Sequence, residues 1–164
     1  MNLIYDRTAE DVERALALAK KAEAGTLTDA EKTEWLAGMK GCYNVADMNR
    51  VEAAVQTLAA ELNAAGYTVE VVPQSFAETD IIRLSQWRQY LANVQALRDA
   101  YYTLAETGQL PDAEDRLDYI GANTIEKILA DIDLLIGWMK SSYRRCGTFQ
   151  AGNNAAHLPL KGSA

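Results

Sequence analysis

One histidine, two cysteines and three prolines in 164 residues leave this chain short of what most active sites use. The single histidine, His157, stands beside Leu158 and Pro159 near the end of the chain. A Ser-His-Asp, Cys-His or histidine-zinc arrangement would have to use it, in a segment poorly suited to the sub-ångström placement that catalysis demands. Cys42 and Cys146 lie too far apart for a CxxC pair or a metal knuckle. They read as buried or idle thiols in a reducing compartment. No uninterrupted apolar run approaches the roughly 20 residues that a bilayer requires. The opening Met1-Asn-Leu-Ile-Tyr-Asp6 lacks the basic stretch and apolar centre of a secretion signal. The expectation is a soluble protein made in the cytoplasm, with no cofactor, no metal and no membrane partner.

Carboxylates are missing from the end of the chain, where none follows Asp133. The whole chain carries −7, which divides into −11 for residues 1–139 and +4 for residues 140–164, the latter from Lys140, Arg144, Arg145 and Lys161. A pI near 4.7 excludes nucleic acid as the main partner, because phosphate binding needs a basic surface. Paired-acid chemistry fares no better. Asp131 and Asp133 point to different sides of a helix. Asp112, Glu114, Asp115 and Asp118 lack the spacing of a calcium loop and read as a solvated loop with helix-capping roles. Gly147 to Gly152 neither follows a strand nor opens a helix, so it is no phosphate loop. The chain is not expected to be an enzyme.

Helical periodicity is what the sequence does have. Thr8 to Asp11 resembles a capping box, followed by Val12, Leu16 and Ala19 on one face, with Gly25 closing the helix. Thr28 to Glu31 is a second box, opening a short helix through Trp35, Leu36 and Met39 that Gly38 and Gly41 end. Asn44 to Asp47 opens a third helix, whose stripe runs through Met48, Val51, Val55, Leu58, Leu62 and Ala65 to a stop at Gly66. The polar start of that helix, Asn44 to Glu52, reads as caps plus an Arg50 ion pair. Tyr67 to Val72 alternates and is β-branched, so it reads as a single strand ahead of Pro73.

A fourth stripe comprises Leu84, Trp87, Leu91, Val94, Leu97, Tyr101 and Leu104, with Ser85 as a candidate cap. A fifth helix starts at Asn123 and shows a wide apolar face from Ile125 to Met139. Trp87, Tyr90, Tyr101 and Tyr102 can form a sugar-stacking platform, although Trp87 and Tyr101 at helical spacing are most simply core residues. The fold class is therefore mainly α: an elongated bundle of four to five helices joined by short loops, with one short strand or small β element and an extended C-terminal arm. Residues 1–143 form the bundle and residues 144–164 the arm.

Several stretches resemble a set of small virion-associated proteins of tailed phages and prophages of Firmicutes, from the tail and baseplate gene region. They are Leu3 to Thr8, Leu27-Thr28, Glu34 to Gly41, Tyr43-Asn44 and Asp47 to Glu52, then Tyr90 to Asp99, Leu110-Pro111, Asn123 to Leu129, Asp131 to Ile136 and Cys146 to Gly152. The resemblance implies a minor structural component of a phage particle and brings no catalytic residues with it. The assembly residues expected from the arm are Arg144, Arg145, Thr148, Phe149, Gln150, Leu158 and Leu160. The positive arm would add a strand to a neighbour's edge, anchored by Phe149. Partners are further copies of the chain and other virion proteins. The alternatives are a host-surface carbohydrate-binding module of the particle and a prophage adaptor protein.

Overall fold

The computed structural model describes residues 1–146, with side chains up to Ser142, as five helices. These are α1 (Ala9–Glu23), α2 (Asp29–Leu36), α3 (Val45–Ala64), α4 (Leu84–Ala100) and α5 (Tyr119–Cys146). The first three begin where capping boxes place them. Thr8, Thr28 and Asn44 each accept from the backbone of the third helical residue, and Asp11, Glu31 and Asp47 return the bond. Gly66, at φ 93°, takes the left-handed turn that stops α3.

One helix face and three boundaries differ from expectation. On α1 the buried positions are Ala15 and Leu18, whereas Leu16 is 57% exposed, so the inward face is turned by one residue. α4 begins at Leu84, before Ser85, and its first turn is closed by the Arg83 N–H donating to Gln86 Oε1. α5 starts at Tyr119, with Asp118 Oδ1 accepting from the Gly121 N–H. α5 also runs on to Cys146, past the boundary drawn after residue 143, so the backbone of Arg144 and Arg145 is helical. Thr148, Phe149, Gln150, Leu158 and Leu160, with the rest of residues 147–164, lie outside the described residues.

α3, α4 and α5 pack around one core that includes Val51, Leu58, Tyr90, Leu97, Ile125 and Leu129. Their pairings fix the direction of each. Arg50 meets Glu126 near the start of α3 and α5, and Glu61 meets Lys140 near their far ends. Tyr43 touches Tyr90, Asn93 bonds Glu52, and Tyr101 lies on Tyr67 beyond the end of α3. All three helices therefore run the same way. Parallel neighbours cannot be joined by tight turns, because each connection must return the full length of a helix. Residues 65–83 and 101–118 do this, in place of the short loops expected.

The first return segment replaces the expected strand. Among the described residues there is no strand at all. Tyr67 to Phe76 lies extended along α3 and α4, and asparagine side chains take the role of a strand partner. Asn63 accepts from the Val69 N–H and donates to the Val69 carbonyl. Asn93 does the same for Val72, and Asn49 for Phe76. The lengths match: Val69 to Phe76 extended covers about 23 Å, and Asn63 back to Asn49 in helix about 21 Å. Alternation from Val69 to Val72 is real, with Val69 buried and Val71 packed against the core while Glu70 and Val72 are exposed, but the backbone is bonded to side-chain amides.

α1 and α2 form an antiparallel pair beside the bundle, joined by Arg14–Glu34 and Lys21–Glu31. Gly41 presses against α1 so closely that an added Cβ would stand 2.0 Å from the Asp11 carbonyl oxygen.

Candidate functional site

The start of α3 and α5 encloses a four-membered ion cluster. Arg7 Nη2 lies 3.0 Å from Asp47 Oδ1 and 2.8 Å from Glu126 Oε1. Arg50 Nη2 reaches the same two oxygens, at 2.5 and 2.8 Å. Glu126 has no exposed surface, and Arg7 only 4%. Two guanidinium groups against two carboxylates leave the cluster neutral, which is the condition for burying charge at tolerable cost.

The cluster holds down the N-terminal strap. The Ile4 N–H donates to Glu126 Oε2, Arg7 donates to the carbonyls of Ile4 and Lys40, and Asn123 bonds both the N–H and the carbonyl of Arg7. This is a fourth asparagine of the kind found on the return segment. The expected reading of Asn44 to Glu52, caps and an Arg50 ion pair, is what the structure shows.

A second buried group sits between α3 and α4. Glu52 accepts from Asn93 Nδ2 at 3.2 Å and from the Gln74 N–H at 3.4 Å. Burial pushes its carboxyl above the usual value, and those two bonds offset the shift only in part. The Tyr43 and Tyr90 hydroxyls share a hydrogen bond, and burial raises the pKa of both phenols. Thr107 Oγ1 donates to Asp131, which Lys127 also meets. Among the described residues no buried side-chain polar atom lacks a partner. The charged interior is therefore committed to holding straps onto helices.

The aromatic residues considered for sugar stacking pack inward. Trp87 stacks on the fully buried Tyr90 at 5.1 Å, and Tyr101 meets Tyr67 edge-on at 5.0 Å. Both Trp87 and Tyr101 contact the core, which is the simpler of the two sequence readings. Tyr102 alone of that group is widely exposed, at 69%.

What faces outward is the far side of α5. Leu134 is 46% exposed and Trp138, one turn later, is 55% exposed. Met1, Leu3, Tyr5, Ala130 and Leu134 line a groove of about 390 Å³ between the N-terminal strap and α5. Lys127 and Asp131, which pair with each other, and Asp133 make its polar rim. Sequence reasoning did not single out this surface. The signal was present, since Leu134 and Trp138 lie off the stripe of Ile125, Ile128, Leu129, Ile132 and Ile136 and only four positions apart.

Among the described residues no helix is long and apolar enough to cross a membrane, and no group of histidine, cysteine and carboxylate side chains could hold a metal ion. Comparison with protein-family models, with curated proteins and with solved structures finds no match to this chain.

Proposed function

We propose that this chain is a non-enzymatic structural subunit of a tailed-phage particle, in its tail, baseplate or fibre region. It is made in the host bacterial cytoplasm and joins copies of itself and other virion proteins through helix packing and its C-terminal arm. The observation that carries the proposal is the outward apolar row of α5, which leads directly into the basic end of an acidic chain. Covering Leu134 and Trp138 in an interface would contribute about 2 kcal/mol. The buried charges support the same reading, because each is used to fix the fold. Resemblance to virion-associated proteins along most of the chain supplies the kind of assembly.

A carbohydrate-binding module would present a cluster of exposed rings, and the packing of Trp87, Tyr90 and Tyr101 into the core speaks against that use of them. The test is mass spectrometry of purified particles from a host that expresses the chain. Peptides in fixed proportion to other tail proteins are expected. Detection in the cell but not in particles would replace the subunit with a prophage adaptor.

A further inference from the structure

We propose that two copies of this chain pair through the outer face of α5, antiparallel and related by a two-fold axis. This rests on the subunit reading above and names the way copies join. Among the described residues nothing covers Leu134, 46% exposed, or Trp138, 55% exposed. Ala130, Leu134, Gly137 and Ser141 follow one another at steps of four, three and four, the spacing by which one helix lies along another. Turned end for end, the second copy sets its Leu134 into the room beside Gly137, where an added Cβ meets nothing within 4 Å. Its Ser141 then comes against Ala130. Two-fold symmetry repeats both contacts, and Trp138 shields the seam along one edge.

Charge singles out a second copy as the occupant. Asp133 and Lys140 stand seven positions apart on the other edge of the seam. Among the described residues Asp133 enters no ion pair, and Lys140 meets Glu61 while its side chain stays 52% exposed. In an antiparallel pair the same edge of each helix faces its counterpart, so each Asp133 comes beside the other copy's Lys140, twice over. A parallel pair sets this edge against Asp131 and Trp138 and leaves both charges unmatched. The face is self-complementary in one orientation only.

From Ala130 to Ser141 the seam is about 17 Å long. At Ala130 it opens into the groove beside the N-terminal strap, where Met1 and Tyr5 are 54% and 47% exposed, so the second α5 covers these side chains as well. A contact of this length stands at the small end of protein interfaces, and the pair forms at micromolar concentration. The net −7 of each copy opposes it only at short range in physiological salt, where charges more than about 8 Å apart are screened.

The test is sedimentation of the full chain from micromolar to millimolar concentration, at physiological salt and under reducing conditions. A reversible dimer is expected. Asp133→Lys and Lys140→Glu should each weaken it about tenfold, because each sets like charges together across the axis. Mixed with one another, the two variants should pair as tightly as the parent, since each reversal then faces the other. Their net charges are −5 and −9 against the parent's −7, so general attraction does not account for the rescue. If Lys140→Glu loses its helical circular dichroism beside Glu61, it is made together with Glu61→Gln. Leu134→Ala should also weaken the dimer about tenfold. A parent that stays monomeric, reversals that mixing does not restore, or a Leu134→Ala dimer as tight as the parent's overturns the proposal. A monomeric chain found in purified particles removes the pairing and leaves the subunit reading intact. A dimer formed by a chain absent from particles does the reverse.

Discussion

Asn93 on α4 bonds both backbone groups of Val72: its Oδ1 accepts from the N–H at 3.0 Å and its Nδ2 donates to the carbonyl at 2.8 Å. Asn93 itself is 99% buried, so water has little access to these bonds from the α4 side. Asn93→Ala should therefore cost about 2–3 kcal/mol in chemical unfolding, since it orphans two backbone groups and a bond to Glu52. Asn63→Ala, whose residue is exposed, should cost less than half as much. Equal costs would show that the amide clamps are not what holds the return segment.

Gly41 and Gly137 should respond to alanine in opposite directions. A Cβ at Gly41 meets the α1 backbone, at Asp11, inside any tolerable contact distance, whereas one at Gly137 meets nothing within 4 Å. Gly41→Ala should destabilise by about 3 kcal/mol because the connection into α3 must be displaced. Gly137→Ala, in an exposed helical position, should stabilise by about 0.5–1 kcal/mol. Thermal unfolding of the two variants beside the parent checks both signs.

These two features also mark where sequence reading stopped. Capping boxes at Thr8, Thr28 and Asn44 are local, so side chain and backbone partner lie within three residues and the helix starts were legible. The direction of packing is not local. A stripe such as Val51 to Leu62 states which face is buried but is the same for a parallel or an antiparallel neighbour, so the long returns went unforeseen. Alternation at Tyr67 to Val72 is the basis for expecting a strand, and none forms there. The partners of this backbone are single asparagines, Asn63 on the helix before it and Asn93 on the helix after it, and no periodicity reports them. The outer face of α5 was missed because one wide apolar helix contains both its core stripe and the Leu134–Trp138 row.

The ion cluster predicts a sharp contrast between two arginines. Arg7→Met leaves Asp47 and Glu126 buried against Arg50 alone and should cost about 3–5 kcal/mol. It should also speed hydrogen exchange at the Ile4 amide, which Glu126 accepts. Arg14→Met breaks a pair whose arginine side chain is 47% exposed and should cost less than about 1 kcal/mol.

Glu52 sets a pH dependence of known sign. Burial raises its folded pKa above the ordinary 4.5, so the fold favours the neutral carboxyl. Its contribution is complete below 4.5 and is lost as pH rises through the folded value. Glu52→Gln has no such titration, so its melting temperature should gain on the parent's as pH rises above 4.5. Glu31 acts oppositely: the Lys21 ammonium and then the Thr28 N–H hold it down to about 2, so its contribution is lost only as pH falls toward that value. Both proteins keep Glu31, and its effect cancels in the difference. A gap that stays constant with pH would contradict the role given to Glu52.

The central claim is that the C-terminal segment is what places this chain in a particle, and competition inside one cell tests it most directly. Full-length chain and a version lacking residues 145–164 would be expressed together at equal levels, and their ratio measured by mass spectrometry in purified particles and in the lysate. The truncated form should remain folded in the lysate and be depleted at least about tenfold from particles, as expected when anchoring interface residues are removed. Equal representation of the two forms in particles would contradict the account.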